Sequence, residues 1–389
     1  MLFPPTRAAA RDRLASFVPG AGAGYADGRN HDPGPDAPGA VSRLSPYVRY
    51  RMLTEAEIVA AVLARHRFEP AEKFVQEVLW RTYWKGWLEM RPAIWTRFVE
   101  ERDRQRETFP AARALAQAES GTTGIEGFDD WARELVATGY LHNHARMWFA
   151  SIWIFTLRLP WALGADFFLR HLIDADAASN TLSWRWVAGL QTVGKTYLAT
   201  TDSIARYTGG RFAPKGLALE AAALTEAPIP APAALPVRAK FDPTKAALLL
   251  ATPEDLAPET QFGPDKPFVA ALVAADPRLL WGERARSFVA DAAADAAARL
   301  SAPVVERLDA PTLIDAARAA DVRQIVTPYA PVGPTADALA AVAIELAREG
   351  ITLAQVRRDW DSRFWPHATK GFFAFKERIP AELHSLGLT

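Results

Sequence analysis

Three short clusters in this chain carry side chains that could do chemistry together. Glu77, Trp80 and Arg81 are spaced i, i+3, i+4 in the run EVLWR, which on a helix sets a carboxylate, a broad π face and a guanidinium on one side. Asn143, Arg146 and Met147 repeat that spacing in HNHARM, and Asp174, Asp176 and Asn180 follow in LIDADAASN, with Trp184 and Trp186 directly after. The first two clusters also have a plain reading: an amphipathic helix edge with an i,i+4 ion pair, and a Met filling core space. Paired carboxylates suit general acid/base work or a metal. With no Cys anywhere and only His142 and His144 nearby, they make a poor metal site, and no metal is expected. The lack of Cys also excludes disulfides, thiolate zinc, iron–sulfur clusters and cysteine nucleophiles, leaving redox chemistry to a bound cofactor.

Two further segments bear on phosphate. Ser42, Arg43, Leu44 and Ser45 lie between a Gly/Pro/Asp-rich loop and a helix, so their amides and hydroxyls suit a diphosphate or, equally, an ordinary capped turn. Tyr25 and Arg29, spaced Tyr-x-x-x-Arg, stand just upstream. Gly189–Thr196 reads GLQTVGKT, a literal phosphate-loop pattern. It follows a helical, Trp-rich segment rather than a strand, and no apolar strand ending in Asp follows it. A nucleotide-binding P-loop protein is therefore only a remote alternative. Gly20–Gly24 (GAGAG) likewise follows a helix and is no dinucleotide fingerprint.

The elements that must position these residues fall into two classes. Apolar residues recur at helical spacing over 7–18, 54–66, 70–88, 92–105, 128–138, 142–157, 161–172 and 177–188, with no convincing alternation of period two. The first domain, residues 1–224, is thus expected to be all-α. Residues 225–240 are rich in Pro and Ala and predict an extended linker. Residues 241–389 alternate apolar, largely β-branched runs (246–251, 268–274, 304–308, 324–327, 351–357) with helices at 282–300, 311–320 and 335–349, predicting a Rossmann-like parallel α/β domain. The chain carries 45 basic and 45 acidic residues, so any nucleic-acid surface must be a local basic patch. No apolar run reaches the ~20 residues that span a bilayer, and the first residues lack a signal-peptide core; no membrane association and a cytoplasmic location are expected. Thirteen tryptophans, most between Trp80 and Trp186, exceed what core packing asks of one domain.

With SRLSPY, EVLWR, HNHARM and LIDADAASNTLSWRW in that order, residues 7–212 resemble the FAD-binding domain of the DNA photolyase/cryptochrome family. The resemblance implies FAD held by Tyr25, Ser42, Arg43, Leu44, Ser45, Arg81, Arg146, Asp174, Asp176 and Asn180, with Asn180 beside flavin N5. It implies a lesion pocket formed by Glu77, Trp80, Asn143, Met147 and Trp186, a DNA-phosphate contact at Arg29, and electron transfer through Trp184 and Trp161. At the family's third electron-transfer position the alignment gives Thr108, so either another aromatic such as Trp148 or Trp153 completes the path or photoreduction is impaired. The implied activity is that of a deoxyribodipyrimidine photo-lyase acting on damaged DNA; a cryptochrome-like photoreceptor without repair is the alternative. The second domain resembles the family's antenna domain in Val322–Pro331 and Ala368–Pro380, but here it follows the flavin domain instead of preceding it. A second, antenna chromophore is left unassigned, and a monomer is the default.

Overall fold

Twelve helices precede the first strand in the computed structural model, which describes residues 2–37, 39–109, 112–237, 239, 241–263 and 267–388. They are α1 Arg7–Phe17, α2 Ala23–Gly28, α3 Ser45–Arg49, α4 Glu55–Leu63, α5 Phe68–Glu89, α6 Ala93–Thr108, α7 Ala112–Ser120, α8 Phe128–Thr138, α9 Asn143–Ser151, α10 Trp161–His171, α11 Ala177–Val187 and α12 Thr201–Tyr207. Local chemistry fixes their starts. Thr54 and Glu57 form a reciprocal capping box on α4, and the Asp176 carboxylate caps α11 by accepting from the Ser179 amide at 2.7 Å. Each satisfies backbone N–H groups that a helix start leaves bare. Between α9 and α10 the chain makes one π-helical turn, Ile152–Thr156.

The longest helix, α5, is buried along its C-terminal half and forms a spine. Its neighbours include α2, α4 and α11 from the helical half, and Asp359–Phe364 and Phe372–Lys376 from the end of the chain. A Cβ at Gly86 would sit 2.8 Å from the Trp365 Cα, so only glycine admits the C-terminal segment this close to α5.

The stretch 225–237 runs without regular structure; positions 238 and 240 of the expected linker lie outside the described residues. The strands β1 Ala247–Ala251, β2 Phe268–Ala274, β3 Val304–Val305, β4 Gln324–Pro328 and β5 Thr352–Val356 form one sheet in the order β3-β2-β1-β4-β5, each neighbouring pair parallel. The helices between them are α13 Glu259–Phe262, α14 Glu283–Leu300, α15 Ala310–Ala319 and α16 Pro334–Arg348; after β5 come α17 Asp359–Phe364, α18 Phe372–Lys376 and α19 Ile379–Ser385. Strand β3 is two residues long where the sequence predicts five. It lies at the sheet edge, where a short strand limits exposed pairing groups.

Alternate residues of β1 enter different apolar clusters: Leu248 and Leu250 join Leu313 of α15 and Leu339 of α16, whereas Ala247 and Leu249 pack with Phe262 of α13. Helix α14 belongs to the core of the helical half, as do Trp360, Phe364, Phe372 and Phe375. The segment after β5, predicted to close the α/β domain, therefore packs its apolar side on the helices. Gly189–Thr196 lies in turns between α11 and α12 with no strand before it, and Lys195 is exposed. The P-loop pattern thus has none of the strand–loop–helix geometry that cradles phosphate. Among the described residues no helix is long and apolar enough to cross a membrane.

Candidate functional site

A cavity of about 570 Å³ opens inside the helical half, within the usual range for ligand sites. Helix α5 presents Glu77, Trp80, Arg81 and Trp84 to it, and α9 presents Asn143, Arg146 and Met147. Helix α11 contributes Ser179, Asn180, Trp184 and Trp186, the turn before it Asp174, and the loop into α3 the run Ser42–Ser45. Tyr25 and Arg29 complete that side. Of the residues to which the resemblance gives a flavin, lesion or phosphate role or a named electron-transfer step, all but Asp176 and Trp161 border this one cavity.

The i, i+3, i+4 clusters do face one another. The Asn143 amide donates to the Glu77 carboxylate at 3.2 Å, tying α9 to α5. Burial raises the Glu77 pKa, opposed in part by Arg29. Arg146 donates to Asp174 at 3.0 Å and to the Leu141 carbonyl at 2.9 Å. Burial alone would raise the Asp174 pKa, but the guanidiniums of Arg146 and Arg81 outweigh it and hold the carboxyl below its ordinary range. Asp176 stands one layer behind the cavity wall, 3.3 Å from Lys85, 3.6 Å from Arg81 and 3.8 Å from Arg49. These three cations overcome its burial and keep it ionised far below the usual range. Asn180 donates to the Ala165 carbonyl at 2.9 Å.

Aromatic packing sets the remaining walls. Trp80 lies flat against Phe372, ring centroids 3.6 Å apart and planes within 10°, so its opposite face is the one left for a ligand. Trp186 is backed by Tyr197 at 5.7 Å. Trp184, buried, meets Phe168 at 5.1 Å and Trp153 at 6.2 Å. Trp161 begins α10 away from the cavity, with Phe98 at 5.7 Å and the Arg185 guanidinium 5.9 Å over its ring. Thr108 ends α6, its hydroxyl donating to the Arg104 carbonyl at 2.8 Å.

Several wall residues escape sequence reasoning. Trp84 was legible, one turn beyond Trp80 on the same face. Tyr140 was not: it comes ahead of α9, and Arg43 and Arg146 lie 5.8 and 5.6 Å over its ring. Phe373, strongly exposed at the cavity edge, arrives from the far end of the chain, beyond the reach of any local pattern.

What the cavity takes can be read from its unpaired polar atoms. Arg29 Nε, Arg81 Nη1, Asp174 Oδ1, Ser179 Oγ and Trp184 Nε1 are buried without a hydrogen-bond partner. Each such group costs on the order of 1–3 kcal/mol, so a cluster around one cavity marks a place for a ligand with donors, acceptors and a large flat body. Unpaired guanidinium donors suit its anionic part, and the indoles its rings. Among the described residues no group of His, Cys, Asp or Glu is arranged to hold a metal.

The chain's similarities to known proteins include the wall residues of α5, α9 and α11. Residues 74–214 match the FAD binding domain of DNA photolyase. The chain is 37% identical over 186 residues to a deoxyribodipyrimidine photo-lyase of Streptomyces griseus, covering 47% of this chain and 39% of the relative. It is 34% identical over 184 residues to that of Thermus thermophilus, covering 45% and 41%. A class III photolyase structure from Agrobacterium tumefaciens aligns over 52% of this chain and 43% of its own, at 28% identity and a TM-score of 0.45. The matches thus span about two fifths of the length of these curated relatives. Through its helical half the chain is thus similar to the FAD-binding domain of DNA photolyases.

Proposed function

We propose that this protein is a light-dependent DNA-repair flavoprotein that binds FAD in the helical cavity and splits cyclobutane pyrimidine dimers. The observation that carries the reading is the cluster of buried, unpartnered polar atoms on Arg29, Arg81, Asp174 and Ser179 around one cavity, all but Arg29 within the stretch that matches a FAD-binding domain. When bound, FAD supplies the light absorption and the electron; the chain supplies position and field. Arg81 and Arg146, backed by Asp174 and Asp176, hold positive charge at the cavity wall, and Ser42–Ser45 and Arg29 serve phosphate. Asn180, on the cavity wall, would offer its side-chain amide to the bound flavin. Glu77, made easier to protonate by its burial, offers a carboxyl to the base edges of a flipped dimer. The free face of Trp80, with Met147, Asn143 and Trp186, receives its rings. The α/β half, a Rossmann-like sheet, is of the antenna type.

A second reading, a photoreceptor without repair, draws support from Phe372, which already occupies one face of Trp80. One experiment separates the two. Purified protein, reconstituted with FAD, reduced and illuminated with dimer-containing oligonucleotide, is expected to bind the lesion in preference to undamaged DNA and to restore the paired thymines. Flavin absorption with no preference for the lesion would move the assignment to the photoreceptor; no flavin after reconstitution would remove both.

A further inference from the structure

The charge that faces the cofactor cavity is set partly from the α/β half, and we propose that Glu254 is a positioning residue for the flavin site. This rests on the reading that FAD fills the cavity. In an open parallel sheet, ligands bind outside the carboxyl ends of the strands, where the strand order reverses. Here that place lies between β1 and β4, and Glu254, buried just past the end of β1, stands at it. Its carboxylate faces the helical half. Arg49 grips it in fork fashion, Nη1 at 2.8 Å and Nη2 at 2.9 Å, while Arg49 Nε donates to the Ala175 carbonyl at 2.6 Å, between the two aspartates. Lys85 Nζ lies 3.9 Å from Glu254 and 3.3 Å from Asp176. Asp176 in turn holds Arg81 at 3.6 Å, and Arg81 borders the cavity with Nη1 lacking any hydrogen bond.

From sheet to cavity the signs therefore alternate: Glu254 negative, Arg49 and Lys85 positive, Asp176 negative, Arg81 positive. Every member except Arg81 is buried, so salt screens the interactions weakly. Without the Glu254 charge, Arg49 and Lys85 both turn on Asp176, which then has less hold on Arg81. The field behind the cavity becomes more positive by one charge. An electron added to a bound cofactor is then better stabilised.

The test uses the full chain loaded with FAD. Glu254→Gln keeps the shape and removes the charge, and is expected to shift the flavin midpoint potential upward in an equilibrium dye titration. Glu254→Asp keeps the charge and should return most of the shift. A wild-type potential in a Gln variant that melts normally would overturn the proposal, as would equal shifts in Gln and Asp, which would mark a packing effect. If Glu254→Gln does not hold flavin, Lys85→Met removes a positive charge from the same network and is expected to shift the potential downward; no shift, or an upward one, overturns the idea. Wild-type protein that cannot be loaded with FAD fails the underlying reading instead, a result seen before any variant is made.

Discussion

The helical cavity and the seam between the two halves are both lined by buried charged side chains, but they differ in whether those charges are already paired. Along the seam Arg49 is paired with Glu254, Arg51 with Asp361 at 2.6 Å and Arg358 with Asp255 at 2.6 Å. Glu89 accepts from the Tyr329 hydroxyl at 2.7 Å and the Val332 amide at 2.5 Å. At the cavity, donors and acceptors on Arg29, Arg81, Asp174 and Ser179 are left over, whereas among these seam charges only Arg51 Nε lacks a hydrogen bond. A buried charge that has its partner is architecture; a group of buried polar atoms that lack one is an invitation to a ligand. Composition hides this difference, since both regions are rich in Arg, Asp and Glu.

The largest break in that comparison comes from the seam. Arg51→Ala would leave Glu55, Asp255 and Asp361 buried around a missing cation, and losing one partner of a buried pair typically costs ~3–5 kcal/mol. Chemical denaturation should show that loss in protein stripped of flavin as well as in loaded protein. Arg81→Ala in the cavity should do the reverse, changing the flavin-free melt little while lowering flavin retention. Equal destabilisation by both substitutions in flavin-free protein would erase the distinction.

A smaller effect belongs to the cavity's aromatic wall. Base stacking on an aromatic face is worth ~1–3 kcal/mol, so Trp80→Ala is expected to weaken dimer-DNA binding by about tenfold to a hundredfold with flavin content near normal. Fluorescence anisotropy with lesion and undamaged duplexes measures it. Phe372→Ala tests the other face: it removes the backing ring and should weaken the same binding less. If it weakens binding more than Trp80→Ala does, Phe372 contacts the DNA itself.

The electron path gives a third contrast, within the aromatic core. Trp184 borders the cavity and contacts Trp153, whereas Trp161 packs against Phe98 beneath the Arg185 guanidinium, a cation that disfavours a positive hole on that ring. Trp184→Phe should therefore slow blue-light bleaching of bound oxidised flavin with an external reductant more than Trp161→Phe does. Should Trp153→Phe slow it more than Trp161→Phe, the path runs through Trp153. Bleaching at the wild-type rate in all three would exclude this core as the donor.

What was legible in the sequence follows the range of the interactions involved. The α5 and α9 clusters could be placed because i, i+3, i+4 spacing fixes which side chains share a helix face, and Asp174 and Asn180 because they flank a helix start. The roles split where chemistry gave no local mark: Asp176 reads like Asp174 in LIDAD, yet capping α11 turns it behind the wall, where it holds cations. Trp161, Phe372, Phe373 and Glu254 needed contacts across the chain; Glu254 is 205 residues from Arg49 in sequence. The parallel sheet was readable from alternating apolar, largely β-branched runs and Ala-rich helices, while the brevity of β3 and the return of residues 359–385 to α5 depend on what covers each edge and face.

The smallest expected effect concerns a carboxyl that belongs to neither kind of region. Glu134 on α8 has its pKa pushed up to about 7, by burial first and then by the nearby Asp32, with Arg211 and Arg43 opposing. In the unfolded chain a Glu titrates near ~4.3. Between those two values the folded protein binds more protons than the unfolded one, so stability from this group is fully present below about 4.3 and is lost as pH rises toward 7. Asp174 and Asp176 act with the opposite sign. Their folded pKa values are depressed, so their contribution is present above the unfolded Asp value of ~3.9 and fades only at more acid pH. The two effects occupy separate windows and can be read apart in one series of melts. Glu134→Gln should flatten the decline between about pH 4.3 and 7 and gain stability over wild type at pH 7.5, leaving the acid limb alone. Asp174→Asn should flatten the acid limb and leave the upper window unchanged. A Gln variant whose stability still falls over the upper window would show that another group, not Glu134, titrates there.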